Sequence, residues 1–368
     1  MSRYVFQLAS EADDAQLRAR MAEGVMEGDI AISFRREPCY FQGCRVQGDT
    51  TQVTKCVDTA TNTIVGLGSR STSVAYVNGE PQRIGYLADL RSIAAYRRGT
   101  LLARGYRFLR ELHLADPVDF YVTVIYDGNA EAVRNLVGAR AGLPDYREVG
   151  RLLTPAMHLD RRLPEIHSHG LRVARGSPAQ FAAIVRFLNT RQREKAFAPL
   201  YRESDFGGGR FMNLRPQDFF VVLDGEEICG TLAAWDQHAI RQTHVERYSG
   251  KLAALRPLYN LAARVSPLRR LPARGQAIPY LYLACIAVRD NDPQIFRFLL
   301  RGAYNQLRHG HWHYAIAGLD EADALASVLA EYRSIPAAGR VFTVHYPDQT
   351  TTARESFPRP FYLEAGCL

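Results

Sequence analysis

A chain of 368 residues exceeds one ordinary hydrophobic core, because single cores stop growing near about 250–300 residues, so two domains are expected. Its 47% hydrophobic and 23% charged content is ordinary for a globular protein and excludes collagen-like, coiled-coil and largely disordered chains. The formal charge of +8 is carried mostly by arginine, whose planar fork suits phosphate or carboxylate, and a phosphorylated cofactor, nucleic acid or an anionic membrane surface would each satisfy it.

In chain order, residues 4–8 read as a short strand and 13–24 as an amphipathic helix with Leu17 and Met21 on one face. Strands are expected at 52–57, 63–71, 73–77 and 84–92, the last two joined through the turn signal Asn78-Gly79. A helix over 99–113 follows, its apolar stripe made by Leu102, Tyr106, Leu109 and Leu112. Then come a β-prone strand at 120–126, a short helix at 130–137 and a strand pair within 148–159. The second half repeats this order: strand 171–174, helix 178–194, a hairpin of 219–223 and 228–237 around Asp224-Gly225, strand 280–288 and helix 293–307. Strand 314–318, helix 321–332 and a last strand at 340–346 complete it. The expected division is a first domain at 1–160, a polar, turn-prone linker at 161–169 and a second domain at 170–368.

One segment breaks the repeat. Residues 238–279 are long for a connection between neighbouring strands, and within 241–274 Arg241, Arg247, Lys251, Arg256, Arg264, Arg269, Arg270 and Arg274 are mixed with several leucines. Such a basic amphipathic insertion could cap a substrate cleft, touch anionic lipid or grip an acidic partner; a helical decoration with a solvated basic face is the plainer reading. Elsewhere the apolar runs are strand-length, short of the roughly 20 residues a membrane-spanning helix needs. The first residues lack the apolar stretch of a signal peptide, and six cysteines without a Cys-x-x-Cys pair fit reduced thiols, so the cytoplasm is the expected compartment. His309, His311 and His313 read as a turn and an emerging strand rather than as metal ligands, and no metal is expected.

The chemistry concentrates in residues 86–102, a strand, an arginine- and glycine-rich turn, and a helix start. Such a turn presents free amides at the positive end of a helix dipole, which favours phosphate. Arg97 and Arg98 add charge-assisted bonds to a pyrophosphate, and Gly99 allows close approach to the backbone. Tyr86-Leu87-Ala88-Asp89-Leu90-Arg91 and Ala95-Tyr96-Arg97-Arg98-Gly99-Thr100 together resemble the strand and cofactor loop of the GNAT superfamily of acyl-CoA N-acyltransferases. The motif-bearing resemblance covers roughly residues 3–159, including Asn129, where that family often has an asparagine near the cofactor. It implies an α/β fold of two tandem GNAT-like domains, each a mixed, mostly antiparallel sheet flanked by helices. It also implies an acetyl-CoA or other acyl-CoA co-substrate held by Leu90, Arg91, Arg97, Arg98, Gly99, Thr100 and Asn129.

Two departures accompany the match. Tyr96 stands where the motif has Arg or Gln, and Leu101 where it has a second small residue. In the second half, Ala287-Val288-Arg289-Asp290-Asn291-Asp292-Pro293 takes the place of the cofactor loop with two aspartates and no glycine, which repels a pyrophosphate. The resemblance thus implies a thioester in the first half and an acceptor pocket shaped by the second. Transfer to an amine needs a base, for which Asp89 is the first candidate, with a cap on a neighbouring amide or a pair with Arg91 as the alternative. The stretch 132–136 lacks the tyrosine that many relatives use to protonate the leaving thiolate, and Tyr126 is the candidate substitute, beside its plainer reading as core or rim. The function so implied is N-acyl transfer, with acetyl the simplest group, to a small-molecule or peptide amine and with no nucleic acid expected. A non-catalytic ligand-binding or regulatory protein on the same scaffold, or a binder of anionic surfaces through the insertion, is the alternative.

Overall fold

The computed structural model describes residues 2–96, 100–138, 142–168, 170–266, 268–346, 357 and 360–368. In chain order the strands that matter are β1 (Tyr4–Leu8), β2 (Ile30–Arg35), β3 (Thr50–Asp58), β4 (Thr63–Val77), β5 (Glu80–Ser92), β6 (Tyr121–Tyr126), β7 (Asp145–Leu153) and β8 (Ala156–His158). They continue with β9 (Leu171–Arg175), β10 (Phe219–Asp224), β11 (Glu227–Trp235), β12 (Gln242–Tyr248), β13 (Tyr280–Val288), β14 (Tyr314–Ala317) and β15 (Ala338–His345). The helices are α1 (Asp14–Ala22), α2 (Leu101–Ala115), α3 (Ala130–Leu136), α4 (Phe181–Gln192), α5 (Gly250–Ala262) and α6 (Pro293–Leu307).

Two mixed, mostly antiparallel sheets result. The first runs β1-β3-β4-β5-β6-β15-β7, and the second β9-β10-β11-β13-β14-β8, each with a two-residue strand at its β7 or β8 edge. The β4–β5 hairpin turns at Asn78 and Gly79, whose φ values of 53° and 82° suit a tight turn matched to strand twist. The run Phe219-Phe220-Val221-Val222-Leu223 is buried throughout, as a central strand covered on both faces requires. Helices α4 and α6 cover its two faces, with Phe181, Ile184 and Leu188 on one side and Phe296, Leu299 and Leu300 on the other.

The sheets do not respect the expected division of the chain. β15, expected to close the second half, lies between β6 and β7 of the first sheet, pairing Val344 with Tyr121 and His345 with Asp145. In exchange β8 pairs with β14, Tyr314 opposite His158. The halves also lock at the hairpin tip, where Tyr76 N–H donates to Ala198 O (2.8 Å) and Leu200 N–H to Val74 O (3.1 Å).

Other differences have local causes. The two strands expected at 63–77 form one unbroken β4, since no glycine or proline separates them. The helix expected at 321–332 is reduced to Ala326–Leu329. There the buried Asp323 carboxylate accepts from Leu325 N–H (2.9 Å), Asn291 Nδ2 (2.8 Å) and Lys195 Nζ (2.6 Å), which competes with helix formation. The insertion is not free: β12 pairs antiparallel with β2, Gln242 opposite Arg35 and Val245 opposite Ile32.

Gly85 sets the closest approach of β5 and β6. A Cβ there would lie 2.1 Å from the ring of Tyr121, which is buried and receives a hydrogen bond from Arg70 Nε (2.8 Å). Gly85→Ala is therefore expected to cost about 1–3 kcal/mol through overpacking, read as a lower midpoint in a urea titration with an unchanged slope.

Candidate active site

β5 and β6 pair in parallel only at Gly85–Tyr121 and Tyr86–Val122, and beyond that point they diverge. Thr123 Oγ1 donates to Leu87 O (2.8 Å) at the start of the gap. Within it β5 carries a bulge: its register against β4 shifts between Leu67 and Ser69, and Asp89 takes a φ of 56°. A positive φ is uncommon for a residue other than glycine, and aspartate is among those that tolerate it. α2 begins just past the gap, with exposed Thr100 at its N-cap position and no side-chain cap on its first amides. Arg97, Arg98 and Gly99, expected to hold a pyrophosphate, lie outside the described residues.

The same device recurs in the second half. β13 pairs in parallel with β14 from Tyr280–Tyr314 to Leu283–Ala317 and then diverges; its register against β11 shifts between Thr231 and Ala233, and Cys285 takes a φ of 53°. The registers equate Tyr86-Leu87-Ala88-Asp89-Leu90-Arg91 with Tyr282-Leu283-Ala284-Cys285-Ile286-Ala287.

The two gaps are filled differently. In the second, Cys285 N–H donates to Glu364 Oε2 (2.9 Å) and Ile286 N–H to Tyr362 Oη (3.1 Å), while the Tyr201 and Tyr362 hydroxyls donate to the same carboxylate (3.2 and 3.1 Å). Ile286 is 0% exposed. Its counterpart Leu90 in the first gap is 53% exposed. The second gap is thus plugged by the chain's own side chains, and the first opens to solvent.

Asp89 sits in an ion pair rather than free. Arg36, 1% exposed, approaches its carboxylate with Nη2 at 2.5 Å. Longer contacts come from Tyr40 Oη and Gln47 Nε2 (3.4 Å each) and Ser69 Oγ (3.5 Å). Burial alone would raise the Asp89 carboxyl, but the charges of Arg36, Arg241 and Arg91 outweigh it and hold it below the usual carboxylate range. The expected partner Arg91 contributes only at longer range, because its guanidinium lies against the Gly24 backbone, where a Cβ would meet its Nη1 at 1.6 Å.

Tyr126 ends β6 with 40% of its surface open and its ring stacked on Phe34 (centroids 6.5 Å apart). Loss of water around its hydroxyl raises the phenol's pKa, against the nearby charge of Arg241, so it stays protonated at neutral pH. Asn129 caps α3, its Oδ1 accepting from Ala132 N–H (3.0 Å), which commits one acceptor site of its amide to the helix. Asp89, Leu90 and Arg91 lie on β5 beyond its pairing with β6, Tyr126 ends β6, and Thr100 immediately precedes α2.

Three participants were not read from the sequence. Arg36 lies on a segment left without an element; Arg241, assigned to the insertion, influences Asp89, Tyr86, Tyr126 and Tyr282 together and donates to the backbone oxygens of Gly366 (3.0 Å) and Leu368. Glu364, buried in the second gap, has its carboxyl pushed up by burial to about 7. A cavity of about 40 Å³, room for a water or two, is lined by Gln47, Tyr86, Arg210 and Glu364 and so connects the halves.

This architecture is the GNAT fold in tandem. A glucosamine N-acetyltransferase region of a fungal multi-domain β-N-acetylglucosaminidase matches with a TM-score of 0.63 over 93% of this chain and 38% of its own, at 11% identity. The N-myristoyltransferase of Saccharomyces cerevisiae, solved with myristoyl-CoA, matches with 0.60 over 94% and 80% at 10% identity. A GCN5-related N-acetyltransferase from Sphaerobacter thermophilus matches with 0.55 over 93% and 96%, also at 10%. No protein-family model and no curated protein sequence matches the chain.

Proposed function

We propose that this protein is an acyl-CoA-dependent N-acyltransferase, in the simplest case an acetyltransferase, with the thioester in the β5–β6 gap. The observation that carries this reading is the contrast between the open first gap and the plugged second one. The pyrophosphate of acetyl-CoA or another acyl-CoA would lie at the N-terminus of α2, held by its amides with Arg97, Arg98, Gly99 and Thr100. A backbone amide of the Asp89–Leu90 bulge would polarise the thioester oxygen. The amine attacks the carbonyl carbon, the C–S bond breaks, and the thiolate takes a proton; Tyr126, neutral and at the end of the gap, is the donor in this reading. Asp89, held as an anion by Arg36, is a weak base. Glu364, titrating near neutrality on the shared cavity, better suits removal of the amine's proton through water.

The test is isothermal titration of acetyl-CoA and CoA into the protein and into its Arg97→Ala/Arg98→Ala variant, followed by an amine panel. Loss of two charge-assisted contacts is expected to weaken binding by about a hundredfold or more. Absence of CoA binding in the unaltered protein would refute the reading. Binding without turnover on any amine would turn it to a ligand-binding protein on this scaffold.

A further inference from the structure

Helix α5 is amphipathic the wrong way round for a helix packed on its own protein. None of its residues is buried. The side turned toward the body carries Arg256, Tyr259 and Asn260, with Asn260 Nδ2 donating to Leu271 O (3.0 Å) and Arg256 lying over the Tyr248 ring. The outward side carries Ala254, Leu255, Leu258, Leu261 and Ala262, followed by Val265 just past the helix. Their spacing of three and four residues places them on one stripe. Leu255, Leu258 and Leu261 are 54%, 65% and 58% exposed, and Val265 is 91% exposed.

The segment that carries this stripe has charge of one sign. No aspartate or glutamate occurs between Glu246 and Asp290. Lys251, Arg264, Arg270 and Arg274 are exposed and form no ion pair among the described residues, whereas Arg247 is neutralised by Glu27. Arg269 serves the fold instead, donating to the carbonyls of Leu159 and Gly310. An isologous contact with a second copy would set these unpaired cations against their own images, at an electrostatic cost. A leucine stripe rimmed by cations suits the boundary between acyl chains and anionic headgroups, where the leucines bury and the cations meet lipid phosphate. Among the described residues no helix is long and apolar enough to cross a membrane, so the contact is peripheral.

We propose that the outward face of α5 docks this protein on an anionic lipid bilayer. The site's Arg241 immediately precedes β12, and β12 leads straight to α5, so the docked face lies about one strand length, roughly 20 Å, along the chain from the candidate active site.

The test is flotation of the full chain with vesicles of phosphatidylcholine alone and of phosphatidylcholine with phosphatidylglycerol, at low and high salt. The protein is expected to float with the anionic vesicles and to be released by salt. Leu255→Ser/Leu258→Ser/Leu261→Ser and Lys251→Gln/Arg264→Gln/Arg270→Gln are each expected to weaken partitioning by about tenfold or more, with melting temperature little changed because these side chains are mostly exposed. The proposal fails if the unaltered protein ignores anionic vesicles, or if the leucine variant floats as well as it does. It also fails if the stripe proves to hold a dimer that the leucine variant dissolves, or if the protein retains a polynucleotide but no vesicle. None of these outcomes depends on whether CoA binds.

Discussion

Arg36→Met is expected to lower stability by about 3–5 kcal/mol, because it leaves the buried Asp89 carboxylate without its partner. Arg36 is closely enclosed: it lies over the Tyr40 ring and donates to Cys44 Sγ (2.7 Å), and Gly43 leaves room for its side chain, since a Cβ there would meet Arg36 Cδ at 2.9 Å. Once Arg36 is gone, Asp89 relieves the cost by taking up a proton, so the variant's deficit is largest at neutral pH and shrinks on acidification. In the unaltered protein the sign is the ordinary one for a depressed carboxyl. The pair's contribution is present above the usual aspartate pKa and is lost as pH falls through the lower folded value. The companion Arg36→Met/Asp89→Leu removes both charges and is expected to recover most of the loss. Chemical denaturation of the three proteins at neutral and mildly acidic pH measures this; a single-variant cost below about 1 kcal/mol would mean that water reaches the pair.

Local pattern made the repeated order of elements legible. The β-branched run at 122–125, the Asn78-Gly79 turn and the 3.6-residue stripe of α2 each carry their own physical signal. What local pattern does not encode is a strand's partner. Val341-Phe342-Thr343-Val344 would suit any covered strand, and its place between β6 and β7 is decided by packing against residues as distant as Glu148, 192 positions from its partner Arg340. The site divides in the same way. Asp89 is signalled by its position in the motif and Tyr126 by its place at the end of a β-prone strand, but Arg36, Arg241 and Glu364 reach the centre from distant segments that share no motif. One signal was available for the second gap: Tyr-Leu-Ala at 86–88 recurs at 282–284, each followed by the bulged residue. Aligning those triplets would have placed Cys285 opposite Asp89 and marked the second half as the one whose bulge has lost its acid.

Glu364 tests how that second half is held closed. Burial pushes its carboxyl from an ordinary 4.5 to about 7, so the folded protein holds this proton more tightly than the unfolded chain does. Between those values the folded state binds more protons, and stability therefore falls as pH rises. The stabilisation from the neutral group is complete below about 4.5, declines through the interval and is gone above about 7, a change of about 3 kcal/mol. Glu364→Gln keeps an oxygen for the Cys285 amide but cannot ionise. It is expected to match the unaltered protein near pH 4 and to exceed it by about 3 kcal/mol at pH 8, as read from paired denaturant titrations. Equal pH dependence in the two proteins would show that the carboxyl does not titrate within the plug. Turnover separates a second role: if Glu364 takes the amine's proton, the Gln variant loses rate while gaining stability at pH 8, and the rate no longer rises with pH through neutrality. A carboxyl that only fills the gap would leave the pH–rate profile where it was, and the amine's proton would then leave to a group other than Glu364.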